Sequence, residues 1–93
     1  MEREKLLETI GSMLKKEGAT RIGIFGSYAR KEQRPDSDID VLVAFKPTKS
    51  LFDLVRIERE ISEAIGVRVD LVTEQALSPL IRDRVRNDLE VIS

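Results

Sequence analysis

Apolar positions recur along this 93-residue chain with two different periods, and the switches between them divide it into alternating helices and strands. From Glu2 to Glu17 the apolar residues Leu6, Leu7, Ile10, Met13 and Leu14 keep helical spacing, Lys15 and Lys16 suit a helix end, and Gly18 is a natural stop. Thr20 to Phe25 then reads as a strand, and Tyr28 to about Glu32 as a short helix. Arg34-Pro35-Asp36-Ser37 is turn chemistry. Ile39 to Phe45 is apolar enough for a buried strand, and Lys46-Pro47-Thr48-Lys49 is a loop.

Ser50 with Asp53 three residues on forms a variant capping box. The helix it opens carries Leu51, Leu54, Val55, Glu58, Ile61, Ala64 and Ile65, mostly on one stripe, which is expected to be core, and Gly66 ends it. Val67 to Val72 forms a third strand, interrupted in pattern by Arg68 and Asp70. Ser78-Pro79 pairs an N-cap with proline at the first helical position, and a last helix runs to about Asn87. Leu89 to Ile92 is a candidate final strand.

That alternation predicts an α/β fold, a small mixed β-sheet flanked by helices, in one domain spanning 1–93. The twelve residues between Phe25 and Asp38 barely suffice for a parallel crossover, so strands one and two should be antiparallel, with Gly26 beside Asp38. The helix over 51–65 is long enough to make strand three parallel to strand two.

Composition removes several chemistries. Sixteen Lys and Arg against seventeen Asp and Glu give a net charge of −1, which argues against nonspecific nucleic-acid or membrane binding. Without cysteine there is no disulfide or thiolate metal site, and without histidine no imidazole base or ligand. Any metal must be held by oxygen. No apolar segment approaches the roughly 20 residues of a bilayer span, and the N-terminus lacks a signal-peptide core, so a cytoplasmic location is expected.

One stretch concentrates the remaining chemistry. Gly26-Ser27 follows the first strand, and after ten residues Asp38-Ile39-Asp40 opens the second. Glycine allows a sharp bend and close approach of a ligand to the backbone. Ser27 is expected to cap a helix beginning at Tyr28, whose free N–H groups favour an anion, and Arg30 follows one turn later as a cation for phosphate. Asp38 and Asp40, two apart, should share a strand face, where a divalent cation resolves their repulsion. Asp70 lies in an apolar strand, where a carboxylate is expensive unless paired or metal-bound. If strands two and three are neighbours, Asp70 joins the other acids, and three carboxylates can hold two Mg²⁺ ions about 4 Å apart. Asp70 is then the candidate to help deprotonate an attacking hydroxyl. Taken singly, each residue has a plain reading: a turn at Gly26-Ser27, solvated acids at Asp38 and Asp40, Asp70 paired with Arg68, and Arg30 a surface charge. Their order, spacing and strand placement favour a metal site.

This pattern resembles the DNA polymerase beta-like nucleotidyltransferase superfamily. Within it, Gly26-Ser27-Tyr28-Ala29-Arg30, Ser37-Asp38-Ile39-Asp40-Val41-Leu42-Val43, Ser50-Leu51-Phe52-Asp53-Leu54 and Val69-Asp70-Leu71-Val72-Thr73 are similar to the minimal nucleotidyltransferases (MNT). Ala76-Leu77-Ser78-Pro79 and Ile81-Arg82-Asp83-Arg84-Val85 also fit. The resemblance implies ATP as substrate and two Mg²⁺ ions, with Gly26, Ser27, Arg30 and Ser37 on the nucleotide and Asp38, Asp40 and Asp70 as catalytic metal ligands. It implies a HEPN-domain toxin as partner, with AMP transferred from ATP to a toxin tyrosine in the manner of a type VII-like antitoxin. The alternative within the same resemblance is a non-catalytic antitoxin that masks its HEPN partner. The family often has glycine where Lys31 stands, so the path of that loop is in question. The chain ends at Ser93 without a substrate-recognition domain, so a docked protein is favoured as acceptor over a small molecule or RNA. Homo- or hetero-oligomer formation is left open.

Overall fold

The computed structural model describes residues 2–92, with Arg84 described by its backbone only; Met1 and Ser93, the ends of the expected one-domain span, lie outside the described residues. Four helices and four strands follow in the order α1 (Arg3–Lys16), β1 (Ala19–Phe25), α2 (Gly26–Ala29), β2 (Ile39–Phe45), α3 (Leu51–Ile65), β3 (Val69–Thr73), α4 (Pro79–Asp88) and β4 (Glu90–Val91), with a 3₁₀ turn at Glu74–Ala76. The sheet order is β3-β2-β1-β4. β1 is antiparallel to β2 and to β4, and β2 is parallel to β3. This mixed sheet with flanking helices is the expected architecture. No helix among the described residues is long and apolar enough to cross a membrane.

The two faces of the sheet have different fates because strand side chains alternate. Ile22, Ile24, Ile39, Val41, Val43 and Val69 point to one face and are nearly sealed from solvent. They pack with Leu6, Ile10 and Leu14 of α1 and Ile57, Ile61 and Ile65 of α3 in a single apolar cluster. Gly23, Asp40, Leu42 and Asp70 share the opposite face by the same parity, and α4 covers only its β1 side, with Val85 buried there. One face is therefore core, and the other is left free for chemistry.

The free edge of the sheet at β3 is closed by side chains rather than by another strand. The outward N–H of Leu71 donates to Glu58 Oε2 at 2.8 Å, and that of Val69 donates to Ser62 Oγ at 3.0 Å. Both acceptors stand on α3, so the helix that covers the core also blocks strand addition at this edge.

Helix ends follow the sequence signals. Ser50 accepts from Asp53 N–H at 3.2 Å and its hydroxyl donates to Asp53 Oδ2 at 3.0 Å, a variant of the capping box in which the hydroxyl replaces the backbone N–H as the return donor. Gly66 closes α3 in the left-handed conformation, φ 70. Ser78 accepts from Leu80 N–H above Pro79 at 3.2 Å. The expected stripe of α3 holds at Ile61 and Ile65 but fails at its start. Ile57, Ile61 and Ile65 are its buried line, while Leu51 and Val55, read as core, are exposed together with Phe52. Leu51 and Val55 line an open groove with Leu54, Leu71 and Ala76 beside β3, outside the closed core.

These two sets of residues should respond differently to truncation. Ile61→Ala, at a fully buried position, is expected to cost about 2–5 kcal/mol in denaturant unfolding. Phe52→Ser, at a position 88% exposed, should change stability by less than about 0.5 kcal/mol. A large loss at Phe52 would show that the stripe faces the other way.

Candidate active site

Strand register brings the acids together. In the antiparallel pair Phe25 stands opposite Asp40, and in the parallel pair Asp40 stands beside Asp70. Asp40 thus sits on the central strand β2, flanked on one side by the end of β1 and on the other by the second acid. Asp38 lies just before the strand begins, in irregular backbone, and Arg68 Nε approaches its Oδ2 at 4.0 Å. The cation expected opposite Asp70 is therefore drawn to Asp38 instead. Among the described residues, no ion pair neutralises Asp40 or Asp70.

The electrostatic consequence falls on Asp40. Burial, the charges of Asp70 and Asp38, and a hydrogen bond with Asp70 push its carboxyl up to about 6, only partly opposed by Arg30. Asp70 itself is exposed. The desolvation expected of Asp70 thus belongs to Asp40, because β2 is central while β3 is the edge strand.

Gly26 is required by this carboxylate. It adopts φ 74, and a Cβ built on it would stand 2.3 Å from Asp40 Oδ2. The acid occupies the space that a side chain would need, and the turn itself needs a residue free to take a positive φ. Gly26 accordingly stands beside Asp40, not beside Asp38 as the topology alone suggested.

The turn departs from expectation in a second way. Gly26 already belongs to α2, and Phe25, in extended backbone, is the N-cap, so Ser27 lies inside the short helix and makes no side-chain cap. Tyr28 is buried in the main core cluster, which fixes α2 against the sheet and removes Tyr28 from the candidate site. Lys31 adopts φ 60, the left-handed conformation that glycine reaches freely and lysine only at a cost of about 1–2 kcal/mol. Arg30 is close enough to lower the Asp40 pKa, yet its guanidinium bridges Glu32 at 3.1 Å and Asp88 at 2.6 Å. Ser37 Oγ accepts from Arg34 N–H at 2.8 Å, which fixes this side chain to the turn before β2 while its O–H remains a donor. Sequence reading missed Phe25 as the cap and Arg68 as the neighbour of Asp38. The register gives both, and neither has a local signal.

The donor set suits a hard divalent cation: carboxylate oxygens, no nitrogen or sulfur, and a repulsive pair with no internal cation. Among the described residues no three acidic side chains converge on one point. The fit is therefore to ions held by one or two carboxylates and completed by phosphate oxygens, the usual habit of Mg²⁺.

A mixed sheet with a glycine turn after its first strand and acids on its second and third is the architecture of the polymerase beta-like nucleotidyltransferases. Residues 3–92 match the nucleotidyltransferase domain, and the chain belongs to this family of enzymes. It is 46% identical over 88 residues to a Methanocaldococcus jannaschii protein provisionally named a protein adenylyltransferase, MJ0435, with 95% of each chain covered. It is 40% identical over 91 residues to the protein adenylyltransferase MntA of Thermococcus cleftensis, covering 89% of this chain and 92% of the relative. Its fold matches, with a TM-score of 0.82 and 20% identity, an MNT antitoxin solved in complex with the tri-AMPylated HEPN toxin of Shewanella oneidensis, over 99% of this chain and 72% of that one.

Two stability measurements probe this geometry. Asp40 is more easily protonated in the folded chain than in the unfolded one, so its contribution is fully present below its ordinary value of 3.8 and is lost as pH rises through about 6. Asp40→Asn imitates the protonated form. With divalent cations chelated at pH 7.5 it should stabilise the fold by about 1 kcal/mol, a figure reduced for the solvent that still reaches the group, and raise Tm by roughly 5 °C. The difference should vanish near pH 4, and a variant less stable than the parent at pH 7.5 would contradict the charge repulsion. Gly26→Ala should cost about 2 kcal/mol or more in urea unfolding, from the left-handed backbone and the clash together, and Asp40→Ala should recover part of it. Gly26→Ala at parental stability would show that the turn can move away from Asp40.

Proposed function

We propose that this chain transfers AMP from ATP to a tyrosine hydroxyl of a HEPN-type partner protein, in a Mg²⁺-dependent reaction, and so acts as the antitoxin of a toxin–antitoxin pair. The observation that carries the reading is the side-by-side placement of Asp40 and Asp70, without an ion pair to either among the described residues and next to the turn at Gly26. The relatives named as protein adenylyltransferases support the reaction, and the fold shared with an MNT antitoxin supports the kind of partner.

In this reading Asp38, Asp40 and Asp70 would hold divalent ions, which when bound would supply charge neutralisation on the triphosphate and acidity for the attacking hydroxyl. Gly26 lets the backbone of α2 approach the phosphates, and Ser27 adds a hydroxyl donor one residue on. Arg30 and Ser37 complete the nucleotide contacts once they leave their present partners. The acceptor oxygen attacks the α-phosphorus, a new P–O bond forms, and the bond to the β-phosphate oxygen breaks, so pyrophosphate leaves. Asp70, exposed on the open face, takes the hydroxyl proton. The raised pKa of Asp40 belongs to the chain without cations; a bound divalent ion favours the carboxylate and brings it down.

The test is intact-mass spectrometry of a HEPN-domain partner expressed with this chain, with Asp40→Asn and with Asp38→Asn. Whole AMP increments with the parent, reduced at least about a hundredfold in rate in either variant and abolished by EDTA, are expected. A partner that stays unmodified but is bound and neutralised by the parent and both variants would replace transfer with masking.

A further inference from the structure

A broad groove lies beside the acids rather than on them. It is open, encloses about 410 Å³, and has an apolar floor of Leu42, Leu77, Val85 and Leu89. Leu42 is two residues beyond Asp40 on the same face of β2, so the groove begins about 7 Å along the strand from the acid pair. Arg82 and Arg86 form its rim, four residues apart and therefore on one side of α4. Arg21 at the rim is already paired with Glu74, at 2.6 Å. Among the described residues neither Arg82 nor Arg86 has a carboxylate partner. In a chain of net charge −1, this groove carries two uncompensated guanidiniums above an apolar floor.

We propose that the groove seats the acceptor: a protein segment whose aromatic residue, bearing the accepting hydroxyl, is flanked by carboxylate side chains. The inference rests on the AMP-transfer reading and names the chemistry of its second substrate. An aromatic ring matches the four apolar side chains of the floor, and acidic neighbours match Arg82 and Arg86. The ring then lies on the sheet face that carries Asp40 and Asp70. The nucleoside of ATP does not match this groove, because it is neutral and leaves both guanidiniums unanswered. The triphosphate charge is met at the other end, by the turn at Gly26 and the ions held by the acids. A single-stranded nucleic acid is also anionic, but the groove offers no aromatic side chain on which a base could stack and presents Glu74 to the phosphates.

The experiment is fluorescence anisotropy with a labelled random Glu–Tyr copolymer, set against a Lys–Tyr copolymer and a single-stranded RNA oligonucleotide. The proteins are the parent chain and the Arg82→Gln/Arg86→Gln and Arg82→Glu/Arg86→Glu variants. Both substituted residues, Arg82 and Arg86, are exposed on the helix, so thermal melts should coincide and unchanged melts qualify the comparison. The Glu–Tyr copolymer should bind the parent, more weakly as salt rises, and lose about tenfold in affinity in the Gln variant and more in the Glu variant. The Lys–Tyr copolymer should not bind. Equal Glu–Tyr binding by all three proteins overturns the proposal, as does RNA binding that exceeds it and disappears with the two arginines. The assay needs no ATP. Copolymer binding lost with the arginines supports the groove even where no AMP transfer is found, and that result would defeat the transfer reading alone.

Discussion

The candidate site depends on one carboxylate placed where the fold least favours it. Asp40 lies on the central strand, with backbone partners on both sides, so its Cα has no freedom to move away from Asp70. Gly26 leaves room for its Oδ2 and nothing else. Register, turn and charge repulsion are therefore one arrangement. The sheet cannot form with β2 in place without bringing the two acids together, and burial first, then that repulsion, raises the pKa of Asp40, with only partial relief from Arg30. Function-bearing strain of this kind survives where the surrounding structure over-determines it, and here the rest of the chain supplies that determination.

The supply is one-sided. α1 and α3 bury Ile22, Ile24, Ile39, Val41 and Val43 so completely that the hydrophobic effect on that face holds β1 and β2 in register, at about 1.5–3 kcal/mol per large side chain buried. Glu58 and Ser62 of α3 also close the β3 edge. The opposite face carries Asp40, Leu42 and Asp70 with partial cover from α4. A slip of one residue in β2 would send the acids into the core and Val41 to the surface, so the packing that stabilises the fold also enforces the polarity of the two faces.

The alternation of helices and strands, the capping box at Ser50 and the Ser78-Pro79 start were legible because each has a local signal of spacing or hydrogen-bonding chemistry. Strand directions were legible from connection length. The acids were legible because they break an apolar pattern. What escaped was decided between elements. The burial of Asp40 rather than Asp70 follows from strand order, which no residue in either strand announces. The start of the α3 stripe was misread because Leu51 and Val55 carry the apolar signal yet line an open groove with Leu71 and Ala76, whereas Ile57 is closed into the core cluster. Ser27 was read as a cap because serine often is one, but the bend at Gly26 starts the helix two residues earlier and gives the position to the backbone of Phe25.

Arg30 shows how an expectation and an observed contact can both stand. Its guanidinium is held by Glu32 and Asp88, which joins the turn after β1 to the last turn of α4. Both contacts are solvent-accessible, and exposed pairs of this kind contribute about 0–1 kcal/mol. A triphosphate with bound cations at the Gly26 turn offers a higher charge density at short range than either carboxylate does. The energy that ties Arg30 to its present partners is too small to keep it from a phosphate, and releasing Asp88 would loosen the end of the helix whose Arg82 and Arg86 rim the groove. The turn at Gly26 and the groove are thus joined by a contact weak enough to exchange, on a sheet face whose other side is too well packed to move.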